Sequence, residues 1–436
     1  MRFYDRKEEL RSLERNEQQS HKTAVFTVLT GRRRVGKTSL INKAISEGGM
    51  AYLFVSKDSE PILCKRFQEI LREKLNIEIH GQTTSIRELF EIVMKESVKR
   101  HFTIFFDEFQ NFQKVNPAIF SDIQDIWDRY HSASLIHLVV SGSIRSLMKR
   151  IFEDQNEPLY GRPTSKMNLL PFRTDVLKEI LADYNPSFSN EDLLCLYMIT
   201  GGVAKYVELL VDANCLTKKD ILDYICRPDS YFLTEGKDLL SQEFSDESST
   251  YFSILQLIAG GMTKRSEIDG IMTKDTGVYL LNLEKNFSMI RKLKPLLSKP
   301  GSKTTAYEIA DPFLRFWFRF IWPFQSLVET QQMDRLRDYI EKNYEQFSGR
   351  TLETYFQQKL MESGQYTIVG NWWDHKGKNE IDIVALDEFT HSGLAAEVKR
   401  NPAKIDFSAL DAKVKALPDP FNEYDLRLGS FTIDDL

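Results

Sequence analysis

Along its first 165 residues the chain alternates short apolar runs with longer amphipathic stretches. Four of these runs are almost continuously apolar and predict buried strands, at residues 24–29, 51–55, 103–106 and 135–140. Helical patterns lie between them. Because strands that alternate with helices are typical of a parallel sheet with crossover helices, the pattern indicates an α/β fold.

After residue 171 the pattern becomes helical until about residue 226, and no strand is obvious there. Residues 251–258 then place their apolar positions on one helical face, and Gly260 and Gly261 end this helix. Two short helical patterns and two strand-like pieces follow, at residues 266–271, 276–287, 289–293 and 305–309. Three helices followed by a hairpin predict a winged helix-turn-helix.

Two further regions complete the pattern. Aromatic and apolar residues at 313–324 share one helical face, and Arg315 and Arg319 lie on the opposite side. We interpret this helix as a core-packing linker, with a partner interface as the alternative. A last α/β region is expected from a helix and three strand-like pieces, at residues 344–361, 366–369, 381–386 and 394–398.

Composition and charge narrow the class of protein. A chain of 436 residues with 42% hydrophobic content can bury roughly three domain cores. Its 58 basic and 63 acidic residues give a net charge of −5, so any DNA contact must come from a local basic patch. The four cysteines form no CxxC pair, which argues against a zinc site. No apolar run approaches the roughly 20 residues of a membrane span, and charges from Arg2 onward argue against a leader. We therefore expect a cytoplasmic protein without a membrane partner.

Residues 31–38 read Gly-Arg-Arg-Arg-Val-Gly-Lys-Thr and fit the phosphate-binding pattern GxxxxGK[ST] between a predicted strand and a predicted helix. Backbone N–H groups of such a loop and the helix N-terminus form a cradle for anions. Lys37 is expected to reach the β- and γ-phosphates of ATP, and Thr38 to ligate Mg²⁺. The predicted nucleotide contacts from this loop are Gly31, Arg32, Arg33, Arg34, Val35, Gly36, Lys37, Thr38 and Ser39. The three arginines are equally compatible with a solvated surface.

A second motif follows the third predicted strand, which ends in Asp107 and Glu108. Open α/β sheets bind ligands at the carboxyl ends of their strands. Asp107 is expected to hold Mg²⁺ directly or through water, and Glu108 to act as the general base that orients the attacking water. Two motifs in the expected order make a chance match improbable.

Two more residues are candidates for the same site. Ser143 follows the fourth predicted strand, where a small polar side chain can sense the γ-phosphate; an ordinary strand-end turn is the alternative. Arg162 is a candidate arginine finger, since phosphoryl transfer gains from an added positive charge in the transition state. A plain surface arginine is the alternative.

Several segments together resemble the archaeal-type AAA+ ATPases, relatives of the STAND-like signalling NTPases. The resemblance rests on residues 3–10, the GRRRVGKTSL loop, FFDEFQ, the SGS strand end and PLYGR. It implies that the opening segment lies against the adenine, which assigns that contact to Phe3 and Arg6. Residues 200–203 match the lid segment of the family, although Ala204 stands where the family usually has proline.

The resemblance also implies a domain organisation. A P-loop AAA+ core would occupy residues 1–170, a helical lid 171–240, a winged helix and linker helix 241–325, and a C-terminal α/β restriction-endonuclease-like domain 326–436. An AAA+ core further implies assembly into a homo-oligomer, with a monomeric switch as the alternative.

The C-terminal strands carry carboxylates in an unusual arrangement. Asp382 lies between apolar neighbours on one strand, and Glu397 and Lys399 share a face of the next because side chains alternate along a strand. Glu353, on the preceding helix, can add a third carboxylate. This set resembles the PD-(D/E)XK nucleases, which implies that Asp382, Glu397 and Glu353 hold Mg²⁺ and that Lys399 positions the attacking water.

Two functions remain open from the sequence. In the first, ATP binding closes the core, the winged helix binds DNA, and the C-terminal region cleaves it. In the second, the chain is an ATP-switched regulatory or DNA-binding module whose nuclease fold does not cleave. Residues 275–286 form the candidate recognition helix, and the candidate wing contacts are Lys292, Lys294, Lys299 and Lys303. Interdomain packing is the alternative role for this region.

Overall fold

The computed structural model describes residues 1–45, 49–79, 81–244, 248–299, 302, 304–375 and 377–436. Lys303 of the predicted wing lies outside the described residues. The chain divides into two units. The N-terminal unit is Asp5–Pro171, and the C-terminal unit is Met1–Tyr4 together with Phe172–Leu436.

A five-stranded sheet of order β2-β3-β4-β1-β5 forms the centre of the N-terminal unit, and its recorded pairs are all parallel. The strands are β1 (Val25–Gly31), β2 (Met50–Phe54), β3 (Phe102–Asp107), β4 (Ile136–Ser141) and β5 (Ser165–Leu169). Every residue of β3 and β4 is buried, as expected for central strands covered on both faces.

Crossover helices connect these strands. Helix α1 (Lys7–Ser20) precedes β1, and the crossover helices are α2 (Lys37–Ala44), α3 (Glu60–Leu75), α4 (Ile86–Ser97), α5 (Phe112–Val115), α6 (Ile119–Tyr130) and α7 (Arg145–Glu153). Their apolar faces pack on the sheet, with a large aromatic group around Phe109 and Phe152, whose rings are stacked 5.7 Å apart. The predicted α/β pattern of this region is therefore confirmed.

The edge strand β5 was not predicted. Burial alternates along this strand at the edge of the sheet, so its sequence, Ser-Lys-Met-Asn-Leu, contains no apolar run. It joins the sheet by pairing with β1, with Gly31 opposite Leu169.

The C-terminal unit begins with helices, as the sequence predicts. They are α8 (Thr174–Tyr184), α9 (Asn190–Thr200), α10 (Ala204–Asp212), α11 (Lys218–Ile225) and α12 (Tyr231–Glu243). Helix α9 is buried on all sides from Asp192 onward, and Ser189 caps its N-terminus in a reciprocal capping box with Asp192.

Three further helices precede a two-stranded antiparallel ribbon. These are α13 (Ser248–Ala259), α14 (Arg265–Met272) and α15 (Gly277–Leu281), continued by a π-helical turn (Asn282–Asn286), and then β6 (Ile290–Leu293) and β7 (Ala306–Ile309). The predicted order of three helices and a hairpin is therefore present.

The aromatic helix α16 (Pro312–Phe320) lies in the core of the C-terminal unit. Trp317 is fully buried, and its indole N–H donates to the Leu233 carbonyl at 3.0 Å. Phe313, Phe316 and Phe320 are also fully buried. The interpretation as a core-packing helix is confirmed, because its apolar face is already covered within the chain.

A mixed four-stranded sheet of order β11-β10-β9-β8 completes the C-terminal unit. The elements are α17 (Gln325–Glu329), α18 (Met333–Glu362), β8 (Ile368–Trp373), β9 (Glu380–Asp387), β10 (Ser392–Val398), α19 (Phe407–Lys415) and β11 (Asp425–Phe431). Helix α18 begins eleven residues before the predicted start at Tyr344, since Leu336 and Ile340 continue its buried face. Strand β10 runs antiparallel to β9 and parallel to β11.

Candidate functional site

The predicted phosphate loop lies between β1 and α2, at the carboxyl end of the parallel sheet. Gly31 has φ 148°, and a Cβ there would come within 2.6 Å of the Leu169 carbonyl oxygen, so only glycine fits. Gly36 has φ 99° and immediately precedes α2. The loop thus combines two glycine-dependent positions with a helix N-terminus, the arrangement that binds phosphate.

Lys37 is held inside this loop. Its ammonium donates to the carbonyls of Gly31 at 2.9 Å and Arg32 at 3.1 Å. Burial lowers the pKa of Lys37 to about 8, although the nearby carboxylates of Glu108 and Asp107 favour its charged form. A buried ammonium surrounded by carbonyls is well suited to bind an anion such as phosphate.

Asp107, at the end of β3, is only 6% exposed and is fixed by four hydrogen bonds. Its Oδ2 accepts from the Thr38 hydroxyl at 2.9 Å and the Tyr52 hydroxyl at 3.0 Å. Its Oδ1 accepts from the Ser141 hydroxyl and from the backbone N–H of Glu108 at 3.0 Å. The structure therefore brings together the two predicted Mg²⁺ ligands, Thr38 and Asp107, whose oxygen donors suit this ion.

Glu108 follows Asp107 in a left-handed backbone conformation with φ 56°, which non-glycine residues seldom adopt. Its Oε2 accepts from the Ser143 hydroxyl at 2.8 Å and from the Gln110 side-chain amide. The predicted base and the predicted γ-phosphate sensor are thus in direct contact. Backbone strain of this kind is concentrated at functional sites, where the surrounding contacts hold it.

Sequence reasoning missed two partners of these carboxylates, namely Tyr52 and Gln110. The hydroxyl of Tyr52 donates to Asp107, and burial together with this carboxylate raises the pKa of Tyr52. A tyrosine within an apolar strand gives no sign that its hydroxyl meets a carboxylate of the neighbouring strand. The register that pairs Phe54 with Asp107 was needed to show it.

The remaining loop residues differ in burial. Val35 is buried, Ser39 is exposed, and the three loop arginines have intermediate exposure. Arg6 is 4% exposed, contacts the Val35 carbonyl at 3.5 Å, and has a pKa lowered by burial. It therefore lies against the loop. Its predicted adenine contact, and that of Phe3, which is 41% exposed and belongs to the C-terminal unit, stay predictions.

The candidate finger Arg162 forms an ion pair with Asp128 at 3.0 Å and donates to the Tyr160 carbonyl at 2.9 Å. Its recorded hydrogen bonds thus go to Asp128 and Tyr160 and not to the phosphate loop. The role of Arg162 in transition-state stabilisation stays a prediction.

In the C-terminal unit, β9 and β10 bring Asp382, Glu397 and Lys399 together. Ala396 pairs with Ile383 in this antiparallel pair, so the following residue of β10, Glu397, comes beside the preceding residue of β9, Asp382. The Lys399 ammonium lies 2.7 Å from Asp382 Oδ2 and 3.2 Å from Glu397 Oε2. Asp382 Oδ2 also accepts from the backbone N–H of Val398 at 2.8 Å. The two acids are 8% and 6% exposed.

Lys413 of α19 is a further member of this group that the sequence did not reveal. Its ammonium bonds Glu397 Oε1, so both oxygens of Glu397 contact a lysine. Burial by itself raises the pKa of Glu397, but the hydrogen bond from Lys413 and the charge of Lys399 lower it overall. Glu397 is therefore held as an anion.

Glu353 of α18 lies near the same carboxylates and forms an ion pair with Arg350. Burial raises the pKa of Glu353 to about 7, and the negative charges of Asp382 and Glu380 contribute to the rise. We name the set Asp382, Glu397, Lys399, Lys413 and Glu353 the carboxylate cluster. The carboxylates of Asp382 and Glu397 offer oxygen atoms of the kind that divalent cations such as Mg²⁺ prefer as ligands.

Comparison with known proteins now identifies the family. Residues 3–210 match a family described as an ATPase domain predominantly from Archaea, and residues 317–408 match one described as "Archaea bacterial proteins of unknown function". An uncharacterized protein of Methanocaldococcus jannaschii is 32% identical over 409 residues, which cover 91% of this chain and 87% of that protein. The chain belongs to the archaeal-type ATPase family.

Solved structures agree with this fold. The archaeal-type ATPase aligns with a Walker-type ATPase of Pyrococcus abyssi with a TM-score of 0.55 and 20% identity, covering 73% of this chain and 96% of that one. The ORC2 protein of Aeropyrum pernix aligns with a TM-score of 0.48 and 14% identity, covering 76% and 95%. The family match over residues 3–210 confirms the predicted ATPase domain, and the Pyrococcus abyssi structure agrees with its fold.

Within the described ranges, no helix of the archaeal-type ATPase has both the length and the apolar character needed to cross a bilayer. The predicted cytoplasmic localisation stays a prediction.

Proposed function

We propose that this archaeal-type ATPase uses an AAA+ cycle of ATP binding and hydrolysis to control DNA binding and metal-dependent DNA cleavage. The observation that carries the proposal is the carboxylate cluster, in which adjacent strands present Asp382, Glu397 and Lys399 at hydrogen-bond distance, with Glu353 nearby. Burying charge is costly unless the charge is used or paired, and two acids of this group, Asp382 and Glu397, are buried.

In the N-terminal unit, the proposal assigns phosphate binding to Lys37 and the loop N–H groups. Thr38 and Asp107 would hold Mg²⁺, and Glu108 would orient the attacking water. The hydrogen bond from Ser143 to Glu108, at 2.8 Å, supports a role for Ser143 in aiming that carboxylate. Ser143 follows β4, the strand beside β3, and would in this way transmit changes at the γ-phosphate to Glu108.

In the C-terminal unit, the proposed reaction is hydrolysis of a phosphodiester. A water oxygen forms a new bond to phosphorus, one P–O ester bond breaks, and the leaving oxygen takes up a proton. Asp382, Glu397 and Glu353 would hold Mg²⁺, which when bound supplies Lewis-acid polarisation of the phosphate. Lys399, between Asp382 and Glu397, is positioned to stabilise negative charge on the phosphate.

The predicted domains 241–325 and 326–436 enter the proposal as the winged helix that docks DNA and the nuclease-like domain that cuts it. Support for docking comes from the exposed basic residues of β6, Arg291 and Lys292. Basic residues on such a ribbon suit contacts with the DNA backbone, which position a protein without reading sequence. Assembly into a homo-oligomer belongs to the same AAA+ proposal.

A different observation favours the second candidate, an ATP-switched binding module that does not cleave. Lys399 and Lys413 together neutralise Glu397 without any metal. Such a pairing is sufficient to stabilise a buried acid, so the cluster would then be structural. In that case the ATPase cycle would change the DNA-bound conformation only.

The deciding experiment is cleavage of plasmid and single-stranded DNA by the full chain, with and without Mg²⁺ and ATP. Glu397→Ala is expected to abolish cleavage and retain ATP hydrolysis, and Lys37→Ala to abolish ATP hydrolysis and alter cleavage. Glu388→Ala, in the exposed turn between β9 and β10, is the matched control and should cleave normally. Wild-type protein that hydrolyses ATP and binds DNA but cuts no substrate would establish the switch instead.

A further inference from the structure

The C-terminal unit contains a cavity of about 450 Å³ whose lining is distinct from the carboxylate cluster. Its walls come from five parts of the unit: the end of α13 with the loop that follows it, α16, α18, the β6–β7 ribbon, and the region of β8 and β9. The ribbon is the predicted wing and β9 carries Asp382, so the cavity joins the proposed DNA-docking element to the proposed cleavage site.

Positive charge predominates in this cavity. The charged lining residues are Arg315, Arg319, Arg350, Lys264, Glu308 and Glu380. Glu308 is paired with Arg291 at 2.8 Å, outside the lining, and Arg350 is paired with Glu353 and lies 3.7 Å from Glu308, which leaves Lys264, Arg315 and Arg319 against Glu380. The excess of cations therefore attracts an anionic ligand, and the low-dielectric walls strengthen that attraction.

Arg315 is the most deeply placed of these cations. Its guanidinium donates to the Thr351 hydroxyl at 2.6 Å and the Phe347 carbonyl at 3.5 Å, both neutral groups. Burial and the nearby charge of Arg350 lower the pKa of Arg315 to about 10, with Glu308 opposing, so it stays protonated at neutral pH. A phosphate beside Arg315 would give its guanidinium an anionic partner.

The neutral part of the lining suits a nucleotide chain. Asn343, Gln346 and Asn371 offer amide groups, and Trp373 offers an aromatic surface. Proteins that bind single strands combine a basic groove for the backbone with aromatic side chains on which bases stack. A cavity of this volume takes a short piece of one strand, whereas a duplex is too wide to enter.

The cavity continues towards the β6–β7 ribbon on one side and towards the carboxylate cluster on the other. Towards the ribbon, a second cavity of about 650 Å³ shares Lys264, Tyr307 and Trp373 with it and adds Lys292. Towards the cluster, Glu380 lines the cavity and lies two positions before Asp382, on the same face of β9.

We propose that this cavity binds the sugar-phosphate backbone of a single DNA strand and leads it from the β6–β7 ribbon to the carboxylate cluster. The inference rests on the proposed function and specifies its substrate class: DNA with a single-stranded segment. Blunt duplex DNA lacks a strand that fits.

The test is fluorescence anisotropy of the full chain with a labelled single-stranded oligonucleotide and the matching blunt duplex, in EDTA so that nothing is cleaved. Single-stranded DNA is expected to bind at least about tenfold more tightly than duplex. Arg319→Gln and Lys264→Gln should each weaken single-strand binding roughly five- to tenfold and reduce the salt dependence by about 0.7 in the log–log slope per lost phosphate contact.

Arg335→Gln is the matched control, because it removes the same charge from an exposed position of α18 outside the cavity lining. Lys264 is exposed, so its variant keeps the test valid if Arg319→Gln fails to fold. Arg319→Lys should restore most of the affinity. Equal binding by Lys264→Gln and Arg335→Gln, or tighter binding of duplex, would overturn the inference.

The two proposals fail differently. Wild-type protein that binds neither DNA overturns both. Wild-type protein that cleaves DNA in a Glu397-dependent manner, with cleavage and binding unchanged in Lys264→Gln and Arg319→Gln, overturns only the single-strand path. Loss of binding in both variants, with normal binding by Arg335→Gln, supports it.

Discussion

The packing of α12 against the aromatic helix α16 can be tested with one added methyl group. Gly236 lies within α12, and a Cβ built on it would stand 2.5 Å from Cε2 and 2.6 Å from Cε3 of Trp317. The Trp317 ring is fully buried and tied by its hydrogen bond to Leu233, so it has little room to yield. Gly236→Ala is therefore expected to destabilise the C-terminal unit.

Two effects of opposite sign set the magnitude. Replacing glycine by alanine in a helix stabilises it by up to about 1 kcal/mol, because alanine loses less conformational entropy. Overpacking a filled core costs about 1–3 kcal/mol. Gly270, in α14, provides the matched control, since a Cβ there meets nothing within 4 Å. Both variants gain the helix contribution, so the difference between their free energies of unfolding measures the cost of overpacking at Gly236.

Thermal unfolding followed by circular dichroism measures that difference. At about 2–4 °C per kcal/mol for a domain of 150–250 residues, Gly236→Ala should melt roughly 2–12 °C below Gly270→Ala. Gly270→Ala itself should melt at or slightly above wild type. Equal melting temperatures, or a more stable Gly236→Ala, would show that Trp317 does not pack against α12 as described.

Three further predictions concern the candidate sites. Ser143→Ala removes a hydrogen bond to a charged group, worth about 1.5–3 kcal/mol, and should lower kcat for ATP hydrolysis roughly 10- to 100-fold while the Kd for ATP changes little. An unchanged kcat would show that Ser143 does not position Glu108 for the reaction. Arg162→Ala should lower kcat by a factor on the order of 10³ if it is the finger. Asp128→Asn, which breaks only its ion pair, should leave kcat near wild type; equal losses in both variants would indicate a structural role. Lys413→Met should tighten Mn²⁺ binding to the carboxylate cluster by at least about tenfold in calorimetry, because a competing charged hydrogen bond is lost; weaker binding would indicate that Lys413 helps to build the site.

The ATP site illustrates how far local sequence reaches. The phosphate loop is one short segment, and its conformation follows from its glycine positions and the helix after it. The site can therefore be predicted from the residues of this segment alone, namely Gly31, Gly36, Lys37 and Thr38. Asp107 was equally predictable, because a buried strand of a parallel sheet must deliver its last residue to the same edge. In the C-terminal unit, the two-residue period of a strand was sufficient to place Glu397 and Lys399 on one face.

The partners of these groups depended on the tertiary structure. Tyr52 and Ser141 meet Asp107 only through the register of strands that are far apart in sequence, and Lys413 reaches Glu397 from a helix that follows β10. The cavity beside the cluster is likewise built from residues between 258 and 380. Sequence determines what a continuous segment does by its own geometry. The fold decides which distant side chains neutralise, orient or enclose that segment, because those contacts depend on packing between elements that no local pattern encodes.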